Sequence, residues 1–328
     1  KVILASSGSG GHLFPSLSLA KALTEREPEL DILFVGSQKP LERKIVEGHG
    51  WNFLSLPAAG LPFGISVNYP VAVLKFFLSL NRALTLIREF QPQVVVGFGG
   101  YVSAPLLIAA CMRKVPSLIH EQNVLPGRAN RLISRFVSRI ALSFNKSRVF
   151  FPKKVKTAVT GNPIRQEILQ KDALLMQEEE RQRIQVLHLS GERDYEMVRS
   201  RYSGLGVKHR AFSFLEDIGP LYRATDLVLS RAGAGTLAEL SACGLPAILV
   251  PYPHSKRHQM ANARVIEDAG GALVFNERDV TGKVLKDVLL RLMQNRDELK
   301  KMSSAMRKLA CTDATRKLTD EVLELTRL

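Results

Sequence analysis

The stretch from Asp226 to Asn262 constrains the fold most, because an apolar run, a loop of small residues, a short helix and a second apolar run follow one another there. The two runs, Asp226–Ser230 and Ala247–Val250, have the length and composition of buried parallel strands. Between them a helix over Thr236–Cys243 is predicted, ended by Gly244. Such a unit is a building block of a parallel sheet covered by helices.

The loop before this helix, Arg231–Gly235, favours the binding of a phosphate. Glycines at a helix N-terminus let a ligand approach the backbone, and the free N–H groups and the helix dipole attract an anion there. Thr236 and Glu239 also match a capping box, in which both side chains only satisfy the start of the helix. The continuation favours the ligand interpretation, because Gln259 and Asn262 follow the next strand, at the edge where open α/β sheets bind ligands.

Composition limits the classes of partner. The 328 residues are enough for two domains, and the formal net charge of +15 predicts an anionic partner: nucleic acid, a lipid surface or a phosphorylated substrate. The three cysteines show no disulfide or metal-ligand spacing, which favours a reducing, cytoplasmic setting. No signal peptide is predicted, because Val2–Ala5 already has the pattern of a strand. No apolar run reaches the roughly 18 residues of a membrane span.

Glycine-rich or polar loops also follow three predicted strands in the first half of the chain. Strands that alternate with helices indicate a parallel, doubly wound sheet, and these loops are expected to meet at its ligand-binding edge. The first loop is neither a dinucleotide fingerprint, because Leu13 replaces the third glycine, nor a P-loop. Pro15 is expected to open a helix that ends at Leu23. The strand–loop pairs are Val2–Ala5 with Gly8–His12, Val94–Val96 with Gly97–Tyr101, and Ser117–Ile119 with His120–Asn123.

The segment Tyr69–Phe90 is predicted to form a helix with too many apolar residues for one narrow stripe. One interpretation is a core helix whose basic residues face solvent. The other is a helix lying on anionic lipid, and it predicts that Phe76 or Phe77, together with Leu80, is exposed beside a basic rim. The basic helix near Asn130–Ser138 is the next candidate for such a surface.

The composition of Thr160–Arg165 suits a link between two domains, because it contains Gly161 and Pro163. Beyond the link, we expect a strand and a small helix before the stretch described first, and two long helices at the C-terminal end. The predicted bounds are Ile184–Leu189, Ile218–Ala224, Leu285–Met302 and Arg316–Leu328.

Six motifs, spread over nearly the whole chain, occur in an order that resembles the MurG family, the peripheral-membrane N-acetylglucosaminyltransferases of peptidoglycan synthesis. The motifs are Gly8–His12, Gly97–Ser103, His120–Asn123, Gly161–Arg165, Arg231–Glu239 and His258–Asn262. The resemblance implies an α/β protein with a GT-B fold, in which two Rossmann-like domains with doubly wound parallel sheets face a cleft. Residues 1–160 would face the acceptor and the membrane, and residues 161–328 would bind the UDP-sugar.

The implied reaction is transfer of GlcNAc from UDP-GlcNAc to the C4 hydroxyl of MurNAc in lipid I, with inversion, to give lipid II and UDP. The implied partners are UDP-GlcNAc, lipid I, which is a polyprenyl-diphosphate lipid, and an anionic membrane surface, without nucleic acid. The implied location is peripheral, at the cytoplasmic face of the bacterial plasma membrane. The resemblance implies no metal or other cofactor, and the chain has no Asp-x-Asp pair.

The resemblance also assigns site residues by position. His12 is favoured as the general base because it titrates near neutrality, with a structural role for His12 and a basic role for Glu121 as alternatives. Glu239 would accept both ribose hydroxyls. The other predicted contacts are Ser9, Gly10 and Gly11 at the sugar nucleotide, Asn123 and Gln259 at the GlcNAc hydroxyls, Arg165 at the nucleotide diphosphate, Leu215 at the uracil with Phe214 beside it, and Ala234, Gly235 and Thr236 at the diphosphate.

In one respect the chain departs from the family. A second phosphate loop of the type Gly-Gly-Ser-Gln-Gly-Ala, with its strand and helix, is missing near residues 170–185. Either this βα unit is lost or a segment is omitted from the sequence. The second is favoured, because loss of one strand from a doubly wound sheet would expose its core. The last helix is expected to pack back on the N-terminal domain.

Two other functions compete with this one. A UDP-GlcNAc epimerase would share the fold and the nucleotide site, but it would need neither an acceptor nor a lipid-facing surface. A nucleic-acid-binding protein would use the positive charge. Against it, the basic residues are spread along the chain and form no recognised nucleic-acid motif.

Overall fold

The computed structural model describes residues 1–7, 10–57, 69–165, 185–203, 208–253 and 258–327. Strands of the first half are β1 (Val2–Ala5), β2 (Ile32–Gly36), β3 (Asn52–Ser55), β4 (Val94–Gly97), β5 (Ser117–Glu121), β6 (Arg139–Leu142) and β7 (Lys156–Val159). They form one parallel sheet in the order β3-β2-β1-β4-β5-β6-β7. The order runs outward in both directions from β1 and β4, which are wholly buried. The predicted doubly wound sheet is therefore confirmed.

The helices of this half are α1 (Gly10–Arg26), α2 (Pro40–Gly48), α3 (Tyr69–Phe90), α4 (Ser103–Met112) and α5 (Arg128–Ile133), and Asn145–Phe150 forms a 3-10 helix. The expectation that Pro15 opens the first helix was wrong, because α1 already begins at Gly10 and contains Pro15. Proline at that place removes one intrahelical hydrogen bond. Burial of Leu13, Leu17 and Leu23 on the sheet offsets this loss.

Helix α3 has the predicted bounds, and one side of it packs on the sheet. On that side Ala83 is fully buried, and Leu80 is half-buried against the same apolar core. On the outer side Leu74 and Phe77 are each 60% exposed. The predicted exposure of Phe77 is confirmed, whereas that of Leu80 was wrong, because Leu80 lies on the side of the helix that covers the sheet.

The second half contains two small parallel sheets. Strands β8 (Gln185–Leu189) and β9 (Lys208–Phe212) form one, and β10 (Val228–Ser230), β11 (Ala247–Leu249) and β12 (Ala272–Val274) form the other. Their helices are α6 (Tyr195–Tyr202), α7 (Gly219–Arg223), α8 (Ala234–Cys243), α9 (His258–Asp268), α10 (Gly282–Gln294), α11 (Arg296–Leu309) and α12 (Ala314–Thr326), with a 3-10 helix at Glu277–Asp279. Among the helices described in both halves, none is long and apolar enough to cross a membrane.

Some strands of the second half are less buried than those of the first. Leu187 and Leu189 on β8 are 39% and 40% exposed, and Leu229 on β10 is 49% exposed. The two sheets of the second half therefore carry exposed apolar side chains. The predicted absence of a βα unit near residues 170–185 concerns a stretch that falls almost entirely on residues 166–184, which lie outside the described part of the chain.

The last helix joins the two halves. Leu318, Val322 and Leu325 of α12 are buried in the same apolar cluster as β1 and α1. Arg139 of β6 lies 2.8 Å from a carboxylate oxygen of Glu321 on α12. The end of the chain is therefore part of the first half's core. The division at residues 160 and 161 stays a prediction.

Candidate active site

The N-termini of α1 and α8 meet where the two halves face each other. A Cβ atom at Gly235, the second residue of α8, would lie 3.9 Å from Cα of Gly11, the second residue of α1. That separation is an ordinary van der Waals contact, so protein packing does not require glycine at position 235. Since the first N–H groups of a helix have no partner within it, two sets of open donors converge at this point.

The residues predicted to contact the sugar nucleotide on α1 and the diphosphate on α8 lie at this junction. Gly10 and Gly11 open α1, whereas Ser9 lies outside the described residues. Ala234, Gly235 and Thr236 form the first turn of α8, after Gly233 as the capping residue.

One ring nitrogen of His12 makes a hydrogen bond to the backbone, and the other points away from it. Its Nδ1 lies 2.9 Å from the carbonyl oxygen of Ser7, so Nδ1 carries the proton and donates it. A Cβ atom at Gly99 would lie 3.1 Å from Nε2, so glycine leaves this nitrogen room. Burial lowers the pKa of His12 below its usual 6.5, although the bond to Ser7 and the charge of Glu121 oppose the shift. His12 is thus a neutral imidazole whose Nε2 can accept a proton, and its structural bond does not exclude a role as base.

Glu121 is less suited to be the base. Glu121 is the last residue of β5, and only 1% of its surface is exposed. Its Oε1 accepts from the backbone N–H and the side-chain amide of Asn123, at 2.9 and 3.2 Å. Its Oε2 accepts from the N–H of Gly127 and from Nδ2 of Asn130, at 3.2 and 2.9 Å. Four donors fill the capacity of a carboxylate, so the geometry favours a role in holding Asn123.

Asn123, at the end of this network, also contacts the second half. Its Oδ1 accepts from Nδ2 of Asn262 on α9 at 3.1 Å, and Oδ1 of Asn262 accepts from the N–H of Val124 at 3.0 Å. Gln259, one turn earlier on α9, accepts with Oε1 from the N–H groups of Ala232 and Tyr252. Hydrogen bonds thus order both predicted GlcNAc contacts, Asn123 across the two halves and Gln259 within the second half.

Glu239 is not part of a capping box. Helix α8 is capped by Gly233 without a side-chain hydrogen bond, so the structural interpretation of Thr236 and Glu239 was wrong. Instead, Oε1 of Glu239 accepts from Nε and from a terminal nitrogen of Arg165, at 3.3 and 2.9 Å. Its Oε2 accepts from the hydroxyl of Tyr222 at 3.1 Å. Burial raises the pKa of Glu239, and Arg165 and Tyr222 oppose that rise.

Arg165 ties this carboxylate to two other elements. Its guanidinium also donates to the carbonyl of Glu216, next to the predicted uracil contact Leu215, and lies 4.5 Å from the ring centroid of Phe14 on α1. Leu215 is half-buried, and Phe214 beside it is exposed. Arg165 thus brings the predicted uracil and ribose contacts together against α1.

Some contributors to the site could not be found by sequence reasoning. Tyr222 and Asn130 act only through side chains that are distant in sequence, namely Glu239 and Glu121. Neither belongs to a motif, so no local pattern marks them.

Comparisons with known proteins identify the family. A model of the glycosyltransferase family 28 N-terminal domain matches residues 2–142, and a model of the glycosyltransferase family 28 C-terminal domain matches residues 160–318. The chain belongs to glycosyltransferase family 28. The two matches cover most of the chain, in the order that the six motifs predict.

Similarity to known proteins covers nearly the full length of this chain. A UDP-N-acetylglucosamine–N-acetylmuramyl-(pentapeptide) pyrophosphoryl-undecaprenol N-acetylglucosamine transferase of Geobacter metallireducens is 34% identical over 357 residues, covering 98% of each chain. The crystal structure of Acinetobacter baumannii MurG is 26% identical, with a TM-score of 0.74, and covers 98% of this chain and 99% of that one. The predicted resemblance and GT-B fold are confirmed. Because the first alignment is longer than this chain of 328 residues, the relative has residues that this chain lacks.

The fold alone does not separate family 28 from epimerases. The crystal structure of a putative UDP-N-acetylglucosamine 2-epimerase of Listeria monocytogenes has a TM-score of 0.68 and covers 96% of this chain and 93% of that one, but it is only 14% identical. A likeness at that identity establishes a shared fold and no more. The choice between the two activities therefore depends on the site residues and on the relatives.

Proposed function

We propose that this protein transfers GlcNAc from UDP-GlcNAc to the C4 hydroxyl of MurNAc in lipid I, with inversion, and so forms lipid II and UDP in peptidoglycan synthesis. The observation that carries the proposal is the convergence of two helix N-termini from different halves beside a neutral His12 and the carboxylate of Glu239. Full-length relatives named for this activity support it.

In the proposed mechanism, Nε2 of His12 removes the proton from the acceptor hydroxyl as that oxygen attacks the anomeric carbon. The bond from the anomeric carbon to the diphosphate oxygen breaks, and UDP leaves with the negative charge. The open N–H groups at the start of α8 stabilise this charge. The lowered pKa of His12 supports its part, because an imidazole must be neutral before it can accept the proton.

The donor, UDP-GlcNAc, is proposed to be oriented by four residues, namely Glu239, Leu215, Asn123 and Gln259. The carboxylate of Glu239 would receive the ribose hydroxyls, the backbone at Leu215 would meet the uracil, and Asn123 and Gln259 would hold the GlcNAc hydroxyls. Hydrogen bonds that fix three of these side chains support the assignment, since Glu239 is held by Arg165, Asn123 by Asn262 and Gln259 by the N–H of Ala232.

An assay of UDP release from UDP-GlcNAc, with and without a lipid I analogue, tests the proposal. We expect release only with the acceptor, together with a β-linked disaccharide product. Conversion of UDP-GlcNAc to its 2-epimer without any acceptor would instead establish the epimerase. If the protein bound UDP-GlcNAc but did neither, the proposed reaction would be wrong.

We further propose that the protein acts as a peripheral protein on an anionic membrane, at the cytoplasmic face of the bacterial plasma membrane, and that nucleic acid is not a partner. The support is the outer side of α3, where Leu74 and Phe77 are each 60% exposed and Lys75 and Arg82 are also exposed. Apolar side chains between basic ones suit the boundary between headgroups and acyl chains.

Sedimentation with phosphatidylglycerol vesicles tests this surface. We predict that binding needs the anionic lipid and weakens with salt, because exposed charges are screened. The double change Lys75→Glu and Arg82→Glu should reduce it several-fold and leave UDP affinity unchanged. The matched control is Lys283→Glu with Lys286→Glu, an equal charge change on the exposed surface of α10. Equal sedimentation of the α3 variant and its parent would remove α3 from the proposal.

A further inference from the structure

Asn162, in the link between the two halves, has a side chain without a partner. The residue is only 5% exposed, and neither Oδ1 nor Nδ2 makes a hydrogen bond within the part of the chain that the structure describes. A buried amide normally finds a partner, because leaving it unpaired costs free energy. An unpaired amide beside a cleft therefore indicates a bound group that completes it.

The backbone around Asn162 is held in place on both sides. Gly161 has a φ of 82°, and a Cβ atom there would lie 2.5 Å from Sγ of Cys311, so only glycine fits. The carbonyl of Gly161 accepts from Nε2 of the fully buried His120 at 3.0 Å. Burial lowers the pKa of His120 to about 4, so this ring stays neutral and the bond persists at ordinary pH. The side chain of Asn162 is thus directed by a fixed link.

The side chain points to the start of α8. Nδ2 of Asn162 is 3.8 Å from the position that a Cβ atom would take at Gly235, which in turn faces Gly11 of α1. Neither helix has an acidic residue in its first turn, and α8 has no side-chain cap. Two positive helix ends therefore lie next to each other without a negative group in their first turns, which is unfavourable unless an anion sits at the junction.

We propose that Asn162 is a diphosphate-binding residue of the sugar-nucleotide site. Its amide nitrogen donates to a phosphate oxygen held at the start of α8, and its amide oxygen accepts from a ligand hydroxyl. The inference rests on the proposed function, because the diphosphate is that of UDP-GlcNAc. Because Asn162 lies in the link between the halves, one bound diphosphate would contact the link and the start of α8, next to the start of α1.

The test compares UDP with uridine, which lacks the diphosphate, by calorimetry. Asn162→Asp keeps the shape of the side chain but places a negative charge beside the diphosphate. We expect it to lower UDP affinity about tenfold or more and to leave uridine affinity unchanged. The control is Ser143→Ala, which removes a different buried polar group, a hydroxyl without a hydrogen-bond partner among the described residues, and should change neither affinity.

A second variant separates binding from structure. Asn162→Ala removes the amide without adding volume, so it should lower UDP affinity while the unliganded protein melts close to the parent's temperature. The amide has no hydrogen-bond partner to lose among the described residues, and its removal ends the cost of burying it unpaired. A lower melting temperature with equal losses of UDP and uridine affinity would assign Asn162 a structural role and overturn the proposal.

Unchanged UDP affinity in Asn162→Asp would also overturn it. If the parent protein binds no UDP at all, the proposed function itself fails. The anion site is then judged by whether inorganic pyrophosphate raises the melting temperature of the parent more than that of Asn162→Asp, and equal shifts would refute it.

Discussion

A double-mutant cycle between Glu239 and the ribose of the ligand tests the nucleotide site most directly. Glu239 already accepts three hydrogen bonds, at 3.3 and 2.9 Å from Arg165 and at 3.1 Å from Tyr222. A carboxylate has about four acceptor positions, so one is open. The two ribose hydroxyls need two, so the 3.3 Å bond from Nε of Arg165, which is the longest, is the one expected to give way.

The magnitude follows from this count. Removal of the 2′-hydroxyl deletes one bond to an ionised acceptor, which is about 1.5–3 kcal/mol. The parent should therefore bind UDP about 10 to 150 times more tightly than 2′-deoxy-UDP. In Glu239→Ala no carboxylate remains, and the two ligands should bind with equal, weakened affinity.

Calorimetry with both ligands on both proteins gives the coupling free energy. The change also leaves Arg165, whose side chain is 15% exposed, without its carboxylate, so we expect a stability loss of about 3 kcal/mol. Titrations therefore belong well below the melting temperature of the variant. If Glu239→Ala still preferred UDP over 2′-deoxy-UDP by the parental factor, the ribose assignment would be refuted.

Three further predictions concern the reaction, its pH dependence and the phosphate contact. His12→Gln should lower kcat by about two to four orders of magnitude with unchanged UDP affinity, and retained turnover would end its assignment as base. Burial lowers the pKa of His12 below the usual histidine value of 6.5, so kcat/KM of the parent should stay level as the pH falls to 6.5 and decline only at lower pH. A midpoint above pH 6.5 would contradict the assignment. Gly235→Ala should leave the melting temperature unchanged or slightly raised, since a Cβ atom meets nothing closer than 3.8 Å, yet it should weaken UDP binding several-fold. The control for Gly235→Ala is Gly282→Ala at the start of α10, where a Cβ atom meets nothing within 4 Å. Equal affinities of the two variants would remove Gly235 from the site.

Local patterns predicted those parts of the fold that depend on local causes. The bounds of α3 follow from an uninterrupted run of helix-compatible residues, and α8 ends at Cys243, before Gly244, whose φ of 67° suits glycine. The doubly wound sheet followed from the alternation of strands and helices. The start of α1 was misplaced, because the rule for proline at a first turn took no account of the glycines before it, which enter the helix.

The partners of the site residues could not be predicted, because they depend on tertiary contacts. Thr236 and Glu239 have the spacing of a capping box, but Arg165, 74 residues away, competes for the carboxylate with a charged hydrogen bond. The four donors around Glu121 likewise come from the loop after β5 and from α5, which fold back on it. Motif spacing indicated which residues belong to the site, and only the fold shows which partners form hydrogen bonds with them.

Arg165 connects these observations. Its predicted contact is the nucleotide diphosphate, yet in the structure its guanidinium is engaged by Glu239, by the carbonyl of Glu216 and by the ring of Phe14 on α1. Ribose hydroxyls that replace its Nε bond to Glu239 would release a donor of Arg165 beside the same cleft. Recognition of the ribose and of the diphosphate would then be coupled. A nucleoside without phosphates should therefore gain less from Arg165 than UDP does.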